Sequence, residues 1–203
     1  MKILKMYESN INDRYMDEAV KTLRDGGIII YPTDTLYALG CDALNNGAIE
    51  RICRIKNINP QKTSLSIICC GIAQAAEYAR VDNKIFKILR TYLPGAFTFI
   101  LQASHSLPKV FKGRKTVGVR IPDNAIARGL AERLGNPILT TSIEWPEDLP
   151  EEGCEPESIA LRYDGLAELI IDGGTGELIP STVVDCTNSD SPEVVREGKG
   201  ILE

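Results

Sequence analysis

The sequence predicts a single α/β domain built on a largely mixed β-sheet. Helical and strand patterns alternate along the whole chain, and no repeat, low-complexity tract or linker interrupts them. The chain has 203 residues, 43% of them hydrophobic, so one domain of this size can bury a full core. Polar side chains also collect where predicted strands end, which is typical of ligand sites in open α/β sheets.

The predicted helices carry apolar residues at spacings of three and four, so each has one face to bury. In the first helix, Met16, Ala19, Val20 and Leu23 share that face, and Gly26 follows as a C-cap. The six predicted helices span about residues 14–25, 46–56, 72–79, 83–92, 124–134 and 156–163.

The predicted strands are short runs rich in β-branched and aromatic residues. In the first of them, three isoleucines precede Tyr31, and Pro32 ends the pairing because proline has no N–H to donate. The eight predicted strands span residues 28–31, 65–70, 96–102, 116–121, 137–141, 169–172, 182–186 and 194–196.

The net charge of −5 excludes a global basic field that would attract nucleic acid. RNA binding would therefore need a local basic patch. One candidate lies within twelve residues that contain no acid, namely Lys109, Lys112, Arg114, Lys115 and Arg120. A solvated basic loop explains this segment equally well.

The cysteines favour buried thiols over a disulfide framework or a zinc site. None forms a C-x-x-C pair, and four lie in or beside apolar segments, so we expect no metal site. No apolar run is long enough to span a bilayer, and the first residues lack the features of a signal peptide. We therefore expect a cytoplasmic protein without membrane contact. The six cysteines are Cys41, Cys53, Cys69, Cys70, Cys154 and Cys186.

Several common chemistries have no residues to support them. The single histidine, His105, lies in a polar Ser-His-Ser loop, so a Ser-His-Asp or Cys-His apparatus is not expected. Neither a Walker-type phosphate loop nor a G-x-G-x-x-G motif is present. The segment Gly173-Gly174-Thr175-Gly176 could hold an anion with its N–H groups, but a plain turn is the better interpretation.

The loop after the first predicted strand concentrates polar groups. Thr33, Asp34, Thr35 and Tyr37 place two hydroxyls, a carboxylate and a phenol within five residues. Such a loop at a strand end is typical of a small-ligand site. A turn with local Asx-type hydrogen bonds is the plainer alternative.

Other predicted strands also end or begin with polar groups. Arg120 ends one strand, and a guanidinium there suits a planar carboxylate or phosphate, which it can bind with two hydrogen bonds. Ser142 closes a run of three hydroxyl residues, Ser181 precedes the next-to-last strand, and Arg196 ends the last. Together with the first loop, these groups predict one ligand cavity at the strand ends.

These residues form an ordered set of motifs that resembles the YrdC/YciO family over about residues 12–200. The motifs are Pro32-Thr33-Asp34-Thr35-x-Tyr37-x-Leu39-Gly40, Pro94-Gly95-x-x-Thr98, Val119-Arg120-Ile121-Pro122, Ser181-Thr182-Val183-Val184-Asp185 and Val195-Arg196-Glu197-Gly198. The resemblance implies one YrdC-like domain, with a strongly twisted mixed sheet, flanking helices and a concave, positively lined cavity.

The resemblance also implies an activity and a set of ligands. Threonylcarbamoyl-AMP synthases of this family combine L-threonine, bicarbonate and ATP, with Mg²⁺, into threonylcarbamoyl-adenylate, and the product modifies an adenosine of tRNA. Members are also linked to double-stranded RNA and tRNA binding. No bound cofactor is implied, and the oligomeric state is left open.

The resemblance assigns site residues to two sides of the cavity, and none of them is assigned as catalytic. Carbamate attack on an α-phosphate depends on alignment and charge, so no protein nucleophile is required. The threonine side comprises Thr35, Tyr37, Arg120 and Ser181, and the nucleotide side comprises Lys56, Lys62, Ser142 and Arg196.

The nucleotide side departs from the synthase pattern. Where synthases carry a K-x-R grip and then a histidine, this chain keeps Lys56 but has Ile58 and no histidine; where they carry S-x-N, it has Glu144. Two altered grips argue against efficient ATP use and fit the YciO branch. We therefore keep two hypotheses: a synthase-like enzyme of weak or altered activity, or a non-catalytic module that binds double-stranded RNA, tRNA or nucleotides.

Overall fold

Ten strands form one mixed sheet in the computed structural model, which describes residues 1–59, 65–104, 107, 115–146 and 148–202. The sheet order is β1-β8-β2-β3-β7-β4-β6-β5-β9-β10. Parallel pairing joins β1 to β8, β2 to β8, β4 to β6 and β5 to β9, and the other neighbours are antiparallel. The strands are β1 (Lys2–Lys5), β2 (Ile29–Tyr31), β3 (Ala38–Asp42), β4 (Ser66–Ile68), β5 (Phe97–Gln102), β6 (Thr116–Arg120), β7 (Ile138–Ser142), β8 (Leu169–Asp172), β9 (Thr182–Asp185) and β10 (Glu193–Arg196).

Within the described residues, six α-helices and a short 3₁₀ helix connect the strands. Four of the α-helices begin at an Asn or Asp whose side chain accepts a backbone N–H of the first turn, which satisfies a donor that the helix itself leaves open. Within the described ranges, no helix has the length and apolar composition needed to cross a bilayer. The helices are α1 (Asp13–Arg24), α2 (Asn46–Ile55), α3 (Ile72–Tyr78), α4 (Asn83–Tyr92), α5 (Ala125–Leu134) and α6 (Pro156–Arg162), with the 3₁₀ helix at Pro150–Cys154.

The sheet is covered on both faces, and each face has its own core. Successive residues of a strand point to opposite faces. Ile29 accordingly packs in a cluster with Leu23 of α1 and Leu130 of α5, whereas Ile30 packs in the other cluster with Ile49 of α2. Two covered faces explain why β2 reads as a continuous apolar run rather than an alternating one.

The predicted fold class, the six α-helices and the eight strands are confirmed, with ends that differ by at most two residues. Strands β1 and β3 and the 3₁₀ helix were not predicted from the sequence. Strand β3 has the sequence Ala-Leu-Gly-Cys-Asp, which lacks the β-branched and aromatic residues that mark a strand. At its centre, a Cβ on Gly40 would lie 2.5 Å from Tyr31 Cε1 and 2.7 Å from Ile138 Cγ2, so only glycine fits between its neighbours.

Candidate functional site

A cavity of about 400 Å³ opens against one face of the sheet. Its described lining comes from β7, β4, β6, β5, β9 and β10, which are consecutive in the sheet, and from the end of α2. Ser66 pairs with Gly118 on one side and Thr140 on the other, and all three line the cavity. A Cβ on Gly118 would lie 2.4 Å from Ser66 Oγ, so the glycine keeps this floor open.

Arg120 ends β6 at the cavity wall and is only 5% exposed. Its Nη2 donates to Asp34 Oδ1 at 3.1 Å and to Thr35 Oγ1 at 2.9 Å. Burial lowers the pKa of the guanidinium, and the Asp34 carboxylate opposes that shift. Nε is buried without a hydrogen-bond partner among the described residues, so this arginine retains donor capacity that the protein does not satisfy.

The loop after β2 is internally hydrogen-bonded and holds Arg120 from behind. Thr33 Oγ1 accepts from Thr35 N at 3.1 Å and donates to Leu36 O at 2.7 Å. Asp34 Oδ2 accepts from Asp123 N at 2.9 Å. The loop is thus a local turn that also supports the arginine of the cavity, and its role as a ligand site stays a prediction.

A second group of polar side chains lies where β5, β9 and β10 meet. The hydroxyls of Thr98 and Ser181 are 2.8 Å apart, and both line the cavity. Arg196 Nη2 donates to Ser181 O at 2.7 Å and to Ser181 Oγ at 3.3 Å. These neutral contacts fix the guanidinium of Arg196 at the cavity edge without neutralising it.

The opposite end of the cavity contains an ion pair. Lys56 caps the C-terminus of α2, and its Nζ lies 2.7 Å from Glu144 Oε1 and donates to Ser142 O at 2.9 Å. Ile58 lines the same end and offers no polar group. The lysine that sequence analysis assigned to the nucleotide is therefore already paired with a carboxylate of this chain.

The structure brings most of the predicted site residues to one cavity. Arg120, Ser181, Lys56, Ser142 and Arg196 line it. Thr35 contacts Arg120 from behind the wall. Lys62 lies outside the described residues, as does most of the basic segment around residue 112.

Tyr37 is not brought to this cavity. Its phenol donates to Gly174 O at 2.7 Å and accepts from Gly173 N at 3.0 Å, and it lines a separate cavity of about 440 Å³. Its assignment to the threonine side remains a prediction. Gly174 N and Gly176 N donate to Asp172 Oδ1 and Cys154 O, so the glycine segment is a turn bonded within the chain.

Sequence reasoning did not place Ser66, Thr98 and Thr140 in the site. Thr98 stood within the Pro94-Gly95-x-x-Thr98 motif, and Thr140 opened the run of hydroxyls that ends with Ser142. Ser66 could have been found only from the pairing of β4 with β6 and β7. The cysteines form no disulfide, and burial raises the pKa of Cys186 to about 11.

A family model described as Sua5_yciO_yrdC, Telomere recombination, matches residues 21–198. The Escherichia coli (strain K12) protein named "Uncharacterized protein YciO" is 40% identical over 197 residues, which cover 96% of this chain and 94% of that protein. The chain belongs to the Sua5/YciO/YrdC family. The resemblance drawn from the motifs is thereby confirmed.

The family includes synthases to which this chain is less similar. The threonylcarbamoyl-AMP synthase of Bacillus subtilis (strain 168) is 31% identical over 94% of this chain and 55% of its own length. The crystal structure of E. coli YciO superimposes with a TM-score of 0.90 at 39% identity, covering 99% of this chain and 98% of that one. P. abyssi Sua5 complexed with L-threonine gives 0.85 at 28% identity, covering 98% and 58%. The chain is thus more similar to YciO than to these synthase relatives.

Proposed function

We propose that the cavity binds L-threonine and an adenine nucleotide and forms threonylcarbamoyl-adenylate from L-threonine, bicarbonate and ATP, for threonylcarbamoyl modification of tRNA. The observation that carries this proposal is the convergence of Arg120, Ser181, Arg196 and Lys56 on one cavity of about 400 Å³. That volume lies within the usual range of small-ligand sites. The threonine complex of P. abyssi Sua5, a relative of the same fold, supports an amino-acid ligand.

In the proposed reaction, Arg120 receives the threonine carboxylate, because its guanidinium lines the cavity and is held in place by Asp34 and Thr35. The amine and bicarbonate give a carbamate with loss of water. A carbamate oxygen then attacks the α-phosphate of ATP, and pyrophosphate leaves. Arg196 lies at the edge of the same cavity with neutral partners, and so suits the phosphate on which negative charge develops.

Alignment and charge stabilisation are sufficient for this step, so the chain needs no nucleophile of its own. Mg²⁺ would enter as part of the ATP complex. Glu144 is the one carboxylate among the described residues that line the cavity, and it is paired with Lys56. The reaction would take place in the cytoplasm, a reducing compartment in which cysteines stay as thiols.

The test is pyrophosphate release by the purified chain with ATP, Mg²⁺, L-threonine and bicarbonate. We expect threonine-dependent release that falls at least about tenfold in Arg196→Gln, because one charge-assisted contact to phosphate is lost. Arg90→Gln, at an exposed position of α4, is the matched control and should keep the rate.

Absence of threonine-dependent release from folded protein would overturn the proposal. Salt-sensitive binding of tRNA or double-stranded RNA by the same inactive sample would then identify the chain as a non-catalytic RNA-binding relative.

A further inference from the structure

We propose that Glu144 is a specificity residue that makes the cavity favour a nucleotide with one phosphate group, such as a monophosphate or an acyl-adenylate, over a triphosphate. This inference rests on the proposed function, because it takes Lys56 as the phosphate contact of the same cavity. Glu144 would thus determine which class of nucleotide the cavity binds best.

First, the ammonium of Lys56 already contacts two partners from this chain. The side chain of Lys56 is 9% exposed, and its ammonium contacts the Glu144 carboxylate at 2.7 Å and the Ser142 carbonyl at 2.9 Å. An ammonium has three N–H donors, so at most one is left for a ligand. The carboxylate thus takes the position that a phosphate oxygen would need on this lysine.

The second argument is the way the backbone of Glu144 is held. Glu144 N donates to Tyr163 Oη at 2.8 Å, and Tyr163 Oη donates to Glu144 O at 3.3 Å. The next residue, Trp145, lies under the guanidinium of Arg162, whose Cζ is 5.1 Å from the ring centroid. Arg162 of α6 and the C-cap residue Tyr163 therefore anchor the segment, and the Glu144 carboxylate reaches Lys56 from an anchored backbone.

The third argument is the charge along the described lining. Lys56 is paired with Glu144 and Arg120 with Asp34, whereas the contacts of Arg196 are to neutral oxygens of Ser181. Arg196 is thus the cation of the described lining that has no carboxylate partner, and in the proposed reaction the threonine carboxylate occupies Arg120. One phosphate group can be served by one guanidinium, but a triphosphate brings further charge towards Glu144.

The side chain of Glu144 is 65% exposed, so it can turn out into solvent when a ligand competes for Lys56. A triphosphate then binds only with loss of the ion pair, whereas a monophosphate leaves the pair in place. In the proposed reaction, the site would therefore hold the adenylate product more readily than the ATP substrate.

The experiment compares the binding of ATP, ADP and AMP to the full chain and to Glu144→Gln by calorimetry, without threonine and with EDTA in place of Mg²⁺. We expect Glu144→Gln to bind ATP about tenfold or more tightly than the original chain, with a smaller gain for ADP and less than about threefold for AMP. Mg²⁺ should shrink the gain for ATP, because it neutralises part of the charge that Glu144 repels. Glu157→Gln, at an exposed position in the first turn of α6, has the same net charge and should change none of the affinities.

An equal gain for all three nucleotides, or none, would overturn the inference, as would the same gain in Glu157→Gln. A loss of affinity in folded Glu144→Gln would show that the carboxylate only supports the site, and would overturn it as well. Because no turnover is measured, a chain that fails to release pyrophosphate can still support this inference. Conversely, the binding measurements can contradict this inference in a chain that does release pyrophosphate.

Discussion

The two ends of the cavity are built in different ways. At one end, Arg120 belongs to a central strand, is 5% exposed, and is held by the loop after β2. At the other end, Lys56 caps a helix and is paired with Glu144, whose side chain is 65% exposed. The first end is preformed, whereas the second must exchange an internal partner for a ligand. Under the proposed function, the difference predicts that amino-acid recognition is retained more fully than triphosphate recognition.

The largest effect is expected from Arg120→Ala. This change leaves Asp34, whose side chain is 9% exposed, without its counter-charge. Removing one partner of a buried ion pair costs about 3–5 kcal/mol, so the free energy of unfolding in urea should fall by that amount. The double variant Arg120→Ala with Asp34→Ala should recover part of the loss, because no unpaired charge remains. A loss below about 1 kcal/mol in the single variant would contradict the preformed character of this end.

The next effect concerns the nucleotide end. Combining Ile58→Arg with Glu144→Gln adds a guanidinium beside Lys56 and removes the competing carboxylate. The ATP concentration needed for half-maximal pyrophosphate release should fall about ten- to hundredfold, because charge-assisted contacts to the triphosphate are gained. Half-saturation by L-threonine should stay nearly constant. A parallel change in both substrates would show that the two ends are not separate.

A smaller effect is expected from Tyr37→Phe. The phenol donates to Gly174 O and accepts from Gly173 N, and losing both hydrogen bonds should cost about 1–2 kcal/mol of unfolding free energy. L-Threonine affinity, measured by calorimetry, should change less than about twofold, which is within about 0.4 kcal/mol, because the phenol lines the other cavity. A tenfold weaker affinity would instead indicate that Tyr37 contributes to threonine binding.

The last effect needs no substitution and concerns the sheet beneath both ends. Burial raises the pKa of the Cys186 thiol from 9.0 to about 11, and it raises the pKa of Cys41 and Cys69 as well. Between pH 9 and 11 the folded chain therefore binds more protons at these thiols than the unfolded chain. The free energy of unfolding should be unaffected below pH 9 and should fall as the pH rises above it. Urea midpoints at pH 8 and pH 10 test the sign, and a midpoint that rises would contradict it.

Much of the site could be predicted from sequence because its residues lie at strand ends. Arg120 ends β6, Ser181 directly precedes β9 and Arg196 ends β10, so recognising each strand also located its polar group. Short runs of β-branched residues carry this information, even in β10, whose residues are exposed.

The remaining features depend on pairings that sequence spacing does not encode. The contact between Lys56 and Glu144 joins a helix end to a segment 88 positions away, so the direction of the carboxylate could not be predicted from the sequence. The orientation of Tyr37 depends on β3, a strand whose small residues gave no signal. Both features follow from tertiary packing rather than from local preference.

The position of Arg196 has a consequence for the lifetime of the occupied cavity. Strand β10 lies at the edge of the sheet, is hydrogen-bonded only to β9 among the described strands, and exposes Val194 and Val195. Edge strands with little buried surface open locally at lower free energy than central strands. Separation of this one strand would withdraw the guanidinium from the ligand while the rest of the sheet stays folded. Under the proposed function, release of the nucleotide would follow local opening of β10, and the slowed amide exchange of that strand would report how long the nucleotide stays bound.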